Sequence, residues 1–242
     1  MPATATNVVH TDDVPASRDS GDTAEIRVTF SRSNGCELLE QRVVGFAPGR
    51  SLERRLEGRQ EVLYVVSGRG RLHLDGRQHT LEPDTGVFVA AGESYTVENL
   101  GDEPLHVVSV TAPEDRGVAA GERRVTVRFE EQPEIRASSE RTFKYLVNED
   151  AGCYDVTQFV GIVQPSKAPF HSHTYDEVGY IVEGEGLAHI EGESIPLRPG
   201  SCFHLSPGQE HCIENSGTTA MRILGVFHPA GDPASREYGD NN

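Results

Sequence analysis

The chain has 242 residues, of which 36% are hydrophobic, and it contains 25 Gly and 14 Pro, a balance that favours short strands and turns over long helices. A formal net charge of −16 repels phosphate backbones and argues against nucleic-acid binding. No apolar run reaches transmembrane length, and the N-terminal residues lack a signal-peptide pattern. The sequence therefore predicts no membrane partner and a cytoplasmic protein. Its four cysteines lack a CxxC pair and are predicted to be buried or half-buried thiols.

In chain order, residues 1–24 are polar and are predicted to form a flexible arm. Residues 25–113 form a first strand-rich domain, residues 114–136 a linker with an edge strand, residues 137–230 a second strand-rich domain, and residues 231–242 a flexible tail. Predicted strands lie at Glu61–Ser67, Gly70–Asp75, Gly86–Ala90 and Ser94–Asn99 in the first domain, and at Asp155–Val163, Glu177–Glu183, Gly186–Glu191, Ser201–Leu205, Glu210–Glu214 and Met221–Phe227 in the second.

The two domains are copies of one unit at an offset of 116 residues, without a gap from residue 45 to 111. Glu61 aligns with Glu177, for example, and the hydrophobic period in both copies is two. Such evenly spaced strands predict a closed or sandwich-like jelly roll in each copy, and hence an all-β protein. The segments Glu25–Phe30 and Arg123–Phe129 are candidates for strands exchanged between barrels or between subunits.

One group of residues in the second copy indicates a chemical function. His171 and His173 point to the same face of a strand because their spacing is two. A short turn then lets Glu177 begin the next strand facing the same interior, and His211 enters from a later hairpin. Three imidazoles and one carboxylate suit Fe(II), Mn(II), Ni(II), Co(II) or Zn(II). A six-coordinate ion would keep two positions open for substrate or O2.

These residues resemble the two motifs of the cupin superfamily, and the repeat resembles a bicupin, which implies two tandem cupin (jelly-roll) β-barrels. The first motif, G(x)5HxH(x)3-4E(x)6G, matches through Gly184, although Pro165 replaces its leading glycine. The second, G(x)5PxG(x)2H(x)3N, matches at Gly200, Gly208 and Asn215, with Ser206 in place of its proline. The resemblance implies that His171, His173, Glu177 and His211 bind one metal ion.

The first copy lacks this ligand set. At the equivalent positions it has Arg55, Glu57, Glu61 and Tyr95, which do not make a transition-metal site. Arg55 is instead expected to form an ion pair with one of the glutamates or to hold an anion. The first barrel is therefore predicted to be structural, with a regulatory role as the alternative.

Other residues are candidates for the surroundings of the metal. His204 shares a strand face with Cys202. If that face is internal, His204 is a hydrogen-bond donor to a metal ligand or a proton relay, and otherwise it is solvated. Tyr175 in the ligand turn is a second candidate catalytic residue. Phe170 and Gln158 are candidate substrate-binding residues. His189 has a twin in His73 of the metal-free copy, which favours a structural role.

These observations predict a metal-dependent enzyme, with an Fe(II) dioxygenase acting on a small chelating enol, diketone or phenol as the first hypothesis. The first alternative is a redox-neutral isomerase, decarboxylase or hydrolase that uses Mn, Co, Ni or Zn as a Lewis acid. The second is a non-catalytic cupin that binds a sugar or another small molecule. The expected partners are the substrate and O2, and the resemblance implies a homodimer.

Overall fold

The computed structural model describes residues 7–117 and 123–235, and within these ranges the chain is built from β-strands. The only helical elements among the described residues are four 3₁₀ turns, at Thr11–Asp13, Arg32–Asn34, Phe129–Glu131 and Glu149–Ala151. None of the described helices has the length and apolar character needed to cross a bilayer. The prediction of an all-β architecture made of two tandem units is confirmed.

The first unit is a sandwich of two sheets. Its strands are β2 (Ala24–Phe30), β3 (Glu40–Phe46), β4 (Gly49–Arg50), β5 (Arg54–Arg55), β6 (Arg59–Ser67), β7 (Gly70–Leu74), β8 (Arg77–Leu81), β9 (Thr85–Val89), β10 (Ser94–Asn99) and β11 (Leu105–Pro113). In the chain, strand β1 (Val8–His10) precedes these strands and strand β12 (Thr126–Arg128) follows them. One sheet has the order β12-β9-β6-β11-β3-β2, and the other contains β4, β5, β10, β7 and β8.

The second unit repeats this plan. Its strands are β13 (Ile135–Arg136), β14 (Arg141–Val147), β15 (Thr157–Val163), β16 (Ser166–Lys167), β17 (Asp176–Glu183), β18 (Gly186–Ile190), β19 (Glu193–Leu197), β20 (Ser201–Leu205), β21 (His211–Asn215) and β22 (Met221–His228). The larger sheet has the order β1-β20-β17-β22-β15-β14-β13, and the smaller one the order β16-β21-β18-β19. Each of the ten strands predicted within the two domains is present, with ends that differ by no more than two residues.

The two units exchange edge strands. Strand β1 precedes the first unit but pairs with β20 of the second, with Val9 opposite Cys202. Strand β12 precedes the second unit and pairs with β9 of the first. The exchange predicted for Arg123–Phe129 is therefore present between the units. The same prediction for Glu25–Phe30 was wrong, because β2 pairs with β3 of its own unit.

The N-terminal arm is also more ordered than predicted. Val8 is buried in the core of the second sandwich, and the side chain of Asn7 donates to the carbonyl of His204 at 3.1 Å. Polar composition suggested flexibility, but the apolar pair Val8 and Val9 is enough to cover an otherwise open sheet edge. Residues 1–6 of the arm and 236–242 of the tail lie outside the described residues.

Three apolar cores are present in the part of the chain that the structure describes. One fills each sandwich, and a third lies between the two larger sheets, where Tyr64 and Phe88 of the first unit join a cluster with Val160 and Val178 of the second. Both faces of the larger sheet in the second unit are therefore buried. One face looks into its own sandwich, and the other looks toward the first unit.

A candidate metal centre in the second sandwich

Backbone hydrogen bonds bring the two histidine segments together. His171 and His211 form an isolated antiparallel bridge in which each amide donates to the other carbonyl, at 3.0 and 2.9 Å. The amide of Gly208 donates to the carbonyl of His173 at 2.7 Å, and Gly208 has a φ of +76°, a conformation that glycine adopts without strain. The turn before β21 thus fixes His211 against the HxH segment.

The three imidazoles form a compact, buried cluster. One ligand nitrogen from each of His171, His173 and His211 lies within 4.8 Å of the others. The ring centroids are 4.5 to 5.0 Å apart. The structure therefore brings together, from a loop and a later strand, three of the four residues that the sequence proposes as ligands.

Contacts at Nδ1 set the orientation of each ring. Nδ1 of His171 lies 3.0 Å from the carbonyl of Pro169, and Nδ1 of His211 lies 2.9 Å from the carbonyl of Gln209. Nδ1 of His173 lies 3.0 Å from the hydroxyl of Tyr175. Partners of this kind fix the tautomer of a metal-binding histidine. They make Nε2 the nitrogen that would bind an ion in all three residues.

Glu177 lies beside the imidazoles at the start of β17. Its Oε2 is 3.8 Å from Nε2 of His173. Burial raises the pKa of the Glu177 carboxyl to about 8, because the charged form loses its hydration. A divalent cation would supply the missing compensation, and three neutral imidazoles with one carboxylate are a suitable donor set for it. The residues present therefore fit a divalent metal ion.

The cluster lines a cavity of about 90 Å³ in the second sandwich. Its walls are mainly apolar and aromatic, and they include Phe143, Phe159 and Ile223. Gly179 and Gly225 face each other on neighbouring strands, and an added Cβ would lie 2.0 Å from the ring of Phe203 and 2.4 Å from that of Phe159. The two glycines are therefore needed to accommodate the rings that line the cavity.

Arg141 brings a positive charge to this cavity, and the sequence analysis missed it. It lies at the start of β14 among the lining residues, and its guanidinium donates to the carbonyl of Ile213. It precedes both cupin motifs and the gapless part of the repeat, so no sequence pattern singled it out. The one titratable lining residue besides Arg141 and the ligands, within the described ranges, is Tyr175, which stacks on His173 at a centroid distance of 4.6 Å.

The side chain of His204, which the sequence suggests as a catalytic residue, lies on the other face of the sheet from the cavity. Phe203 and Leu205 line the cavity, and strand alternation turns His204 toward the first unit. There Nε2 of His204 lies 2.6 Å from Oδ1 of Asp176, and both residues are buried. His204 is thus in a satisfied interior pair, outside the lining of the cavity.

The two predicted substrate-binding residues also lie elsewhere. Gln158 faces the first unit, where its Nε2 lies 3.3 Å from the carbonyl of Leu63. Phe170 is 43% exposed and packs near Lys167 and His189, outside the lining of the cavity. The two ring nitrogens of His189 lie 2.8 and 2.7 Å from the side chains of Ser194 and Glu214, and His189 is also outside the lining of the cavity.

The equivalent place in the first unit holds a hydrogen-bonded polar group. Tyr95 donates to Glu61 at 2.8 Å, and Ser109 donates to the other oxygen of the same carboxylate. Arg55 forms the predicted ion pair with Glu57, at 2.5 Å and largely exposed. The carboxylate of Glu61 thus accepts hydrogen bonds from two hydroxyl groups, whereas the equivalent carboxylate of Glu177 lies beside imidazoles.

Two tandem β-sandwiches, with one histidine-rich candidate metal centre in the second, define a bicupin. The cupin domain family matches residues 42–111 and again residues 159–227. Together these segments cover more than half of the chain, and the protein belongs to the cupin family.

Relatives with known names match only parts of the chain. An oxalate-binding protein from Thermotoga maritima is 36% identical over 63 residues, which is 26% of this chain and 52% of that protein. The chain thus spans about half the length of this curated relative. An L-ectoine synthase from Mycolicibacterium gilvum is 32% identical over 98 residues, or 40% of this chain and 73% of that enzyme.

Solved structures resemble the whole chain in fold. A putative glyoxylate induced protein from Pseudomonas aeruginosa has a TM-score of 0.78 at 19% identity, covering 97% of this chain and 91% of that one. This likeness shows that the two proteins share the tandem arrangement of domains. At 19% identity it is evidence for the fold alone.

Proposed function

We propose that the protein is an Fe(II)-dependent dioxygenase acting on a small anionic molecule that can chelate a metal, such as an enol, a diketone or a phenol. The proposal is carried by one observation. The three imidazoles, the carboxylate of Glu177 and Arg141 share a single cavity whose remaining walls are mainly apolar.

A ferrous ion held by His171, His173, His211 and Glu177 would offer adjacent open positions for a chelating substrate and O2. The protein's own contribution is to orient and enclose the substrate. Arg141 provides charge-assisted hydrogen bonds for an anionic oxygen. The aromatic walls exclude water, which strengthens those electrostatic contacts.

Proton-transfer groups are few among the described residues of the cavity, and this favours oxygenation over redox-neutral chemistry. Isomerisation, decarboxylation or hydrolysis would use a positioned base or acid at the substrate. Among the described residues that line the cavity, the only such group outside the ligand set and Arg141 is the hydroxyl of Tyr175, which contacts His173. In an oxygenase, Tyr175 would hold a ligand in place and would not need to transfer a proton.

A second candidate function is binding of a small carboxylate without turnover. It is favoured by the likeness to the oxalate-binding protein of Thermotoga maritima, since oxalate is itself a small chelating anion. The same cavity and the same cation would serve such a ligand. The two candidates differ in whether bound ligand is consumed together with O2.

The test is an oxygen-consumption screen on metal-stripped protein reloaded with Fe²⁺ without air. The panel contains enols, diketones, catechols and oxalate, and reloading with Mn²⁺ or Zn²⁺ serves as the comparison. We expect O2 uptake only with iron and only with a chelating substrate, and none in His173→Ala. Turnover without O2 would overturn the oxygenase proposal in favour of a redox-neutral enzyme, and saturable binding without turnover would favour a binding protein.

Arg141→Gln tests the anionic nature of the substrate. Loss of a hydrogen bond to a charged group costs about 1.5–3 kcal/mol, so we expect KM to rise roughly ten- to hundredfold. The metal content should stay unchanged, because Arg141 is outside the ligand set. An unchanged KM for every anionic substrate would contradict this role. Formation of a homodimer stays a prediction, to be checked by sedimentation analysis.

A further inference from the structure

A second cluster of metal-ligand side chains lies at the junction between the two units. Asp115 follows β11 as the chain leaves the first unit, Asp155 precedes β15, and His228 ends β22. One oxygen from each carboxylate and one nitrogen of the imidazole lie within 4.8 Å of one another. His228 lies at the end of the last strand of the second unit, and the structure buries it.

The imidazole of His228 points to a ligand at this cluster. The residue is only 7% exposed, and its Nδ1 has no hydrogen-bond partner among the described residues. Its Nε2 lies 3.8 Å from Oδ2 of Asp115, too far for a hydrogen bond. Burying a polar group without a partner is destabilising, so a buried imidazole beside two carboxylates calls for a further binding partner.

A second set of buried metal-ligand side chains shows the arrangement in which the side chains bind each other directly. Cys36, Asp176 and His204 are also close together, but His204 binds Asp176 directly at 2.6 Å and leaves no space for an ion between them. The 3.8 Å separation at His228 equals that between His173 and Glu177 in the candidate metal centre. Two ligands that each lie about 2.1 Å from one ion are separated by roughly 3–4 Å.

The carboxylate of Asp155 is already held in a fixed orientation. It is 3% exposed, and its Oδ2 accepts hydrogen bonds from the amides of Asp115 and Arg116, both at 3.1 Å. The guanidinium of Arg116 is 3.7 Å from Oδ1 and its side chain is largely exposed. Such contacts resemble the outer hydrogen bonds that orient ligands in metal sites. The cluster thus has one rigid carboxylate, one buried imidazole and one accessible carboxylate that can close on an ion.

We propose that Asp115, Asp155 and His228 form a second divalent-metal site, which ties the segment leaving the first unit to the second unit. Two carboxylates and one imidazole favour Mn²⁺ or Zn²⁺, with water completing the coordination. This site is separate from the candidate metal centre and does not depend on the proposed reaction.

The experiment counts Mn²⁺ ions bound per chain after metal stripping, by equilibrium dialysis with elemental analysis. We expect two ions in the wild type and one in Asp115→Asn. Asp115 is the variant of choice because its side chain is 72% exposed, so its substitution should leave the fold intact. Asp102→Asn, which changes an exposed aspartate in a loop of the first unit, is the matched control and should still bind two ions.

A second arm separates the two sites. In His171→Ala/His173→Ala, one Mn²⁺ should remain, and adding Asp115→Asn should weaken its affinity by at least about tenfold, as expected when a ligand is removed. Circular dichroism verifies that each variant is folded. Binding of a single ion by the wild type, together with unchanged binding in Asp115→Asn, would overturn the proposal. Should the double variant not fold, the counts for the wild type and Asp115→Asn decide alone.

Discussion

Among single residues, Tyr175 offers a direct test of how the ligands are positioned. When Nε2 of His173 faces an ion, Nδ1 carries the proton. Nδ1 then donates a hydrogen bond to the Tyr175 hydroxyl, which lies 3.0 Å away. Tyr175→Phe removes this acceptor but keeps the ring stacked between His173 and Phe227. We expect metal affinity to fall about 10- to 100-fold with little change in stability. Competition with a chelating dye measures the affinity, and equal values for both proteins would contradict this role.

Glu177 should make the free energy of unfolding of the metal-free protein depend on pH. Burial raises the pKa of this carboxyl from 4.5 to about 8, so the folded state binds the proton more tightly than the unfolded state. The stabilisation is fully present below pH 4.5 and is lost as the pH rises through about 8, at up to about 1.4 kcal/mol per pH unit. Glu177→Gln has no titratable carboxyl at this position, so this contribution to the pH dependence is absent from it.

Urea unfolding of the metal-free proteins at a series of pH values checks this prediction. The free energy of unfolding of the wild type should fall relative to that of Glu177→Gln between about pH 4.5 and 8. Parallel curves for the two proteins would show that the carboxyl is not perturbed in the way its burial indicates.

Among the elements, β1 tests the exchange of edge strands. Val8 belongs to the core of the second sandwich although it precedes the first unit. Val8→Ala should lower the free energy of unfolding by about 1.5 kcal/mol, given the apolar surface that it buries. Val28→Ala on β2 is the matched control, since Val28 is 42% exposed and its truncation should cost less than about 0.5 kcal/mol. Equal effects in urea unfolding would mean that the arm is not docked.

The sandwich arrangement explains which features were predictable from the sequence. The repeat and the alternation of apolar residues predicted the strands, and motif spacing selected the histidines that converge. Alternation also separated His204 from Phe203 and Leu205, but it could not tell which face looks into the cavity. Both faces of this sheet are buried, one by the second sandwich and one by the first unit. Gln158 was misplaced for the same reason.

At the scale of the whole molecule, the core between the units should make the chain unfold as one body. Tyr64 and Phe88 of the first unit share this core with Val178 of the second. A polar contact adds to it, since Arg222 of the second unit donates to Asp84 of the first at 2.8 Å. Loss of metal from the second sandwich should therefore weaken the first unit as well.

Calorimetry of metal-loaded and chelated protein tests this coupling. A metal present at about 100 times its Kd adds about 2.7 kcal/mol, which for a chain of this size corresponds to a shift in Tm of roughly 5–10 °C. We expect one transition that moves as a whole when the metal is removed, and a smaller shift in His173→Ala. A separate transition that does not respond to the chelator would mean that the first unit unfolds independently, and the core between the units would then contribute little to its stability.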